Sequence, residues 1–250
     1  MKQIKFVDTH THTKHWNKEH FAEIDPSAFI LSLDTHLQIP SKITCLKRKE
    51  NIIFGYGLQH YTKFDVRLFH NYLDSLTKEV SDGRVMLLGE LGLDYGDSYE
   101  ERMLYEQLII AKDYHIPVII HTPRKNKRKI YERIKKIVEM TKIDHSLCLI
   151  DHADKNIISK NEPCFYFGIT VQPDYGKLSF EQAKQLVLEN SDISNRLVAN
   201  SDYSNLECRK QSLKEVNNVR FLQEIIVQVD PGLSRKVTLE NALNFIGVKE

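Results

Sequence analysis

Short apolar, β-branched runs alternate along this chain with longer segments of helical period. The runs predict strands at Ile4–His10, Ala28–Leu33, Ile52–Leu58, Val85–Glu90, Pro117–His121, Leu147–His152, Cys164–Val171 and Arg196–Asp202. Between the later runs the period lengthens. Leu104, Leu108 and Ala111 recur at i, i+4 and i+7 in a helix expected over Glu100–His115, and Leu222, Ile225, Ile226 and Val229 mark another within Gln211–Val229. Strands that alternate with amphipathic helices favour a parallel sheet with crossover helices. Eight such strands predict a closed (β/α)8 TIM barrel that occupies residues 1–250 as one domain. The stretch Thr13–Asn51 is less regular: its first helix would be short, its loops long, and its elements are left unassigned. No Gly/Ser-rich linker, internal repeat or low-complexity block marks a domain boundary.

Composition narrows the class. Hydrophobic residues make up 41% and charged residues 28% of the 250, enough apolar surface for one sizeable core. The 35 basic and 34 acidic residues nearly cancel, so no global field draws the protein to nucleic acid or anionic lipid. Cys45, Cys148, Cys164 and Cys208 are scattered and form no CxxC pair, which excludes zinc-ribbon and redox-motif readings. The N-terminal MKQIKFVDTHTHT turns polar too early for a signal peptide, and no apolar run approaches the roughly 20 residues that span a bilayer. A soluble, cytoplasmic protein without membrane contact is expected.

Chemistry gathers at the predicted strand ends. Side chains alternate along a strand, so His10 and His12 face one way, joined by Asp8. Two imidazoles on one face can bind a single metal. Alone, the pair reads more readily as a surface strand end that is rich in histidine. The other strand ends change its meaning: strand four ends in Glu90, strand five in His121, strand six in Asp151 and His152, strand eight in Asp202. In a barrel the C-terminal strand ends converge on one face, and ionisable groups collected there are costly unless they are paired or bind metal. A carboxylate can bridge two ions, so Glu90 within this set suits a two-metal site in which one ion activates water and both steady a phosphoryl group.

The motifs VDTHTHT (7–13), LLGELGLDY (87–95), PVIIHTPR (117–124), LIDHAD (149–154), VANSDYS (198–204) and the closing NALNFIG (241–247) resemble, in order, those of the TatD-like metal-dependent hydrolases. The segment FGITVQPDYGKLSFEQA (167–183) is more similar to a less-studied branch of TIM-barrel hydrolases than to the typical TatD nucleases. The resemblance implies two divalent ions, Zn, Mn or Mg. His10, His12, Glu90 and Asp202 would hold the first. Glu90 would bridge to the second, which His121 and His152 complete. Asp202 would also orient or deprotonate the metal-bound water, making Asp202 and Glu90 the catalytic pair. The implied reaction is attack of a metal-bound hydroxide on a phosphate ester, with DNase or exonuclease activity on DNA as the family's example.

Departures from the family pattern fall on substrate contacts. His-Ser-Arg is replaced by His121-Thr-Pro-Arg124, no proline follows Asp202, and the loop after strand one carries His15, Trp16, Asn17 and His20. Arg124, His60 and Tyr175 are the candidate substrate contacts. Arg124, Lys125, Lys127, Arg128 and Lys129 can hold phosphates, helped by the positive end of the following helix, or form a solvated helix start. Two other functions compete: a metal-dependent hydrolase of amides, lactones or nucleobases, and a regulatory barrel without turnover.

Overall fold

Each apolar run expected to be a strand is one, with ends displaced by a few residues at most. The computed structural model describes residues 4–12, 27–34, 52–58, 66–173, 176–204 and 218–248. Contacts divide the chain into two units, Met1–Ser32 with His152–Glu250, and Leu33–Asp151.

The central unit is a four-stranded parallel ladder. Strand β3 (Ile52–Tyr56) pairs with β4 (Leu88–Gly92), β4 with β5 (Val118–His121), and β5 with β6 (Cys148–Ile150). All five residues of β4 are buried, as a strand covered on both faces requires. Helices α1 (Val66–Ser81), α2 (Ser98–Tyr114) and α3 (Lys127–Thr141) cross between the strands. Helix α2 buries Leu104, Leu108 and Ala111, the stripe read from the sequence. Asp97 caps its start, accepting from the backbone N–H groups of Tyr99 and Glu100, and His115 closes it in the left-handed conformation.

The other unit joins the two chain ends. Strand β1 (Phe6–His12) pairs in parallel with β2 (Ala28–Asp34), which carries the chain across the boundary, and β7 (Tyr166–Thr170) pairs with β8 (Leu197–Asn200). A short β9 (Tyr203–Ser204) pairs with the end of β1. Helix α4 (Phe180–Glu189) starts in a capping box between Ser179 and Gln182. Helices α5 (Asn218–Ile226), α6 (Pro231–Arg235) and α7 (Asn241–Phe245) follow, with a π-turn at Lys236–Glu240.

The structure corrects the expected C-terminal helix. It ends at Ile226, and Val229 is 59% exposed. Asp230 and Pro231 open α6, and they stop the apolar period short of Val229. The asparagine of the closing NALNFIG has a structural task. Asn241 donates from Nδ2 to the carbonyls of Ser194 and Leu197, which pins α7 to the start of β8.

Candidate metal centre

Within the unit of the two chain ends, four of the expected ligands meet. His10 and His12 lie at the end of β1, where the pairing with β2 shifts register between Asp8 and Thr11. A register shift re-aims side chains at a strand end, and here the two Nε2 atoms stand 3.1 Å apart. Asp202 follows β8 in a positive-φ conformation, with φ at 46°. Its backbone N–H donates to the carbonyl of His10 at 2.8 Å, which fixes it beside β1. Its Oδ1 lies 3.5 Å from Nε2 of His10 and 3.4 Å from Nε2 of His12.

Those separations are what a shared ion needs. Donors held about 2.1 Å from a tetrahedral ion lie about 3.4 Å from one another. Two imidazole nitrogens and one carboxylate oxygen also form a donor set suited to zinc or manganese. The three residues therefore fit a divalent metal.

His152 joins from beyond β6, also at positive φ, with Nε2 3.8 Å from Oδ2 of Asp202. Its Nδ1 is hydrogen-bonded with Oγ1 of Thr170 at 2.8 Å. With Nδ1 as donor, the Nε2 lone pair is left on the Asp202 side. Behind the group sits Asp8, fully enclosed. It accepts from the backbone N–H and hydroxyl of Ser201 and from the N–H of His10. Burial pushes its pKa up to about 6 against the opposing pull of those hydrogen bonds. Asp8 thus ties β1 to the turn that carries Asp202, and ligation is left to its neighbours.

The central unit supplies a second group. Nδ1 of His121 lies 2.8 Å from Oε1 of Glu90, and its Nε2 lies 3.2 Å from Oδ1 of Asp94. Burial alone would lower the pKa of this imidazole, but the hydrogen bonds to Asp94 and Glu90 outweigh it and the net shift is upward. Gly92 makes the approach possible. It pairs with His121, and a Cβ there would lie 2.6 Å from the His121 carbonyl oxygen. Oε2 of Glu100 accepts from three successive backbone N–H groups, those of Asp94, Tyr95 and Gly96, and so braces the loop that holds Asp94.

Asp94, Glu100, Thr170 and Lys177 were not singled out from the sequence. The spacing of Asp97 and Glu100 was the available sign, since acidic residues three apart mark a helix start. Lys177 lies against Oδ2 of Asp202. Of the expected substrate contacts, Arg124 is exposed in the turn after β5, while His60 and Tyr175 fall outside the described residues, as does the loop with His15, Trp16 and His20. In the basic run, Arg128 is paired with Glu132 and lies over the ring of Tyr131, as a solvated helix face would be.

A family model described as TatD related DNase matches residues 7–247. Over 135 residues the chain is 36% identical to an uncharacterized metal-dependent hydrolase of Methanocaldococcus jannaschii. That match covers 54% of this chain and 52% of the relative, so the chain spans about half the length of the curated relative it matches. The TatD-like protein of Archaeoglobus fulgidus shares the fold with a TM-score of 0.70 at 19% identity, over 97% of this chain and 100% of that one. A phosphotriesterase homology protein from Escherichia coli, solved with phosphate in its active site, gives a TM-score of 0.71 at 12% identity, over 98% and 100%. At these identities the likeness carries the fold, a (β/α)8 barrel, in agreement with the strand–helix alternation of the sequence.

Proposed function

The chain belongs to the TatD-related DNase family of metal-dependent hydrolases, and from that premise we propose that it hydrolyses phosphate esters, DNA phosphodiesters among them, at a centre of two divalent ions. The carrying observation is the convergence of Nε2 of His10, Nε2 of His12 and Oδ1 of Asp202. In this reading His10, His12, Glu90 and Asp202 hold one ion, and Glu90, His121 and His152 the other. Support comes from His12 and His121 at the C-terminal ends of β1 and β5, and from His152 and Asp202 just beyond β6 and β8, since barrel active sites are built at the C-terminal strand ends. Bound ions, whether Zn, Mn or Mg, would supply water activation near neutral pH and charge stabilisation at the phosphoryl group.

The protein's own groups do the rest. Asp202 offers a carboxylate that accepts a proton beside the reacting atoms, and its backbone tie to His10 keeps that oxygen in place. Glu90 offers two oxygens to be shared. Arg124 is free to reach an anionic substrate from the surface. A cytoplasmic setting goes with the same reading. Among the described residues no helix is long and apolar enough to cross a membrane.

The competing hydrolysis of amides, lactones or nucleobases is less favoured. Barrels with that chemistry often bridge their ions with a modified lysine on strand four or five, and here those strands carry Glu90 and His121. The test is a substrate panel on protein loaded with Zn, Mn or Mg: single- and double-stranded DNA and bis(4-nitrophenyl) phosphate, beside lactones and cyclic amides. Hydrolysis of the diesters that disappears in Glu90→Ala supports the proposal. Turnover confined to lactones or amides, or none with any metal, overturns it.

A further inference from the structure

Tyr95 is the most exposed large hydrophobic side chain among the described residues. It is 82% exposed, and no other such side chain there exceeds 59%. Exposure alone says little, because single surface hydrophobics are normal. What distinguishes Tyr95 is the backbone under it. Its N–H donates to Oε2 of Glu100 at 2.9 Å, between the N–H groups of Asp94 and Gly96 on the same oxygen. Asp97 then caps α2 through the N–H groups of Tyr99 and Glu100. Gly96, at a φ of 68°, lies against α3, and a Cβ there would stand 3.0 Å from Cδ1 of Ile130 and 3.2 Å from the guanidinium carbon of Arg133. Nε of Arg133 donates to Oε1 of Glu101, which ties α3 to α2, the helix that the loop leads into. With each residue from Asp94 to Asp97 tied down in this way, the ring of Tyr95 stands in solvent at a fixed place. A ring already fixed loses little freedom when a ligand covers it.

That place is beside the second group of candidate ligands. Asp94, the neighbour of Tyr95 in the chain, has Oδ1 3.2 Å from Nε2 of His121. Gly92 pairs with His121 across β4 and β5, so the loop with Tyr95 and the turn with Arg124 and Lys125 leave neighbouring strand ends. Arg124 and Lys125 are both exposed. One connection thus offers a ring and the next offers two cations. Rings on which bases stack, combined with cations that meet the phosphates, make up the surfaces that bind single strands. Inside a duplex both faces of a base are covered by its neighbours, so such a ring finds an open face only where a strand is unpaired.

We propose that Tyr95 is a specificity-determining residue whose ring stacks on a nucleobase of single-stranded DNA, next to a phosphodiester held at His121. This rests on the reading of the substrate as DNA and names the form of DNA that is recognised. A tyrosine that only decorated the surface would treat strands with and without bases alike.

The experiment uses the full-length, zinc-loaded protein and its Tyr95→Ala, Tyr95→Leu and Tyr95→Phe variants. Fluorescence anisotropy measures their affinity for a short phosphorothioate single strand, for the same strand built from abasic sites, and for the corresponding duplex. The readout is the ratio of the affinities for the base-bearing and abasic strands. This ratio should fall by about tenfold in Tyr95→Ala and Tyr95→Leu, the loss typical of one stacked base, and stay within about twofold of the parent in Tyr95→Phe, which keeps the aromatic face. In cleavage assays the KM for single-stranded DNA should rise in Tyr95→Ala. An unchanged ratio in Tyr95→Ala or Tyr95→Leu, no binding of either strand by the parent, or a parent that binds the duplex as tightly as the single strand would each overturn the proposal. Binding of the base-bearing strand that depends on Tyr95, without cleavage of any phosphodiester, would retain it and remove the phosphoesterase reading instead.

Discussion

Nε2 of His10 and Nε2 of His12 stand 3.1 Å apart, although their side chains leave the backbone two residues from each other. Both nitrogens look toward Oδ1 of Asp202, so neither imidazole is placed for packing alone. His12 is the partly exposed member, at 20%, while His10 is fully buried. His12→Ala therefore removes a donor with little damage to the core. Its zinc affinity should fall more than about a hundredfold, beyond the loss typical of an outer-shell partner, with its thermal midpoint in the metal-free state nearly unchanged. A calorimetric zinc titration and a melting curve check the two halves.

Gly92 carries a φ of 141° and faces the backbone of His121. Gly92→Ala brings a methyl group against the His121 carbonyl and imposes a backbone conformation that alanine resists. A loss of about 3 kcal/mol is expected, from strain and overpacking together, measured by urea unfolding. Activity should fall further than stability, because the displaced strand end is the one that presents His121.

Asp94 and Glu100 act in series. A proton on Nε2 of His121, held by Asp94, leaves the Nδ1 lone pair on the Glu90 side, the arrangement of a carboxylate–histidine–metal triad. Asp94→Ala should weaken binding of the second ion by about ten- to a hundredfold, with the first little affected. Glu100→Ala strands three backbone N–H groups and should cost about 3 kcal/mol. Sequential metal titration of the first variant and denaturant unfolding of the second test these outcomes.

The thiols give an independent check of the packing. Cys148 is buried in β6, and burial pushes its pKa far up, whereas Cys164 is exposed. Iodoacetamide at mildly alkaline pH should label Cys164 within minutes and Cys148 only after unfolding, as read by peptide mass spectrometry. Fast labelling of Cys148 in the folded protein would contradict the ladder of β5 and β6.

Much of this was legible in the sequence because barrel strands, buried on both faces, read as short apolar runs that end where a charged residue appears. His10, Glu90, His121 and Asp202 each interrupt such a run. What was hidden lacks that contrast. Lys177 stands in a polar turn where one more lysine breaks no pattern, and only the hydrogen bonds among Gln172, Lys177 and Leu178 aim it inward. Glu100 reads as an ordinary first-turn acid, and its grip on three loop amides depends on how far the chain folds back from β4. The register shift in β1 adds no residue that a periodicity could reveal. Val229 misled for the opposite reason: its spacing continues the stripe of α5 past the Asp230–Pro231 stop.

The most direct measurement of the central claim is anomalous diffraction from crystals of the protein grown with zinc or manganese. An ion within about 2.3 Å of Nε2 of His10, Nε2 of His12 and Oδ1 of Asp202 is expected. Crystals in which the ion binds elsewhere and none lies within reach of these three donors would contradict it.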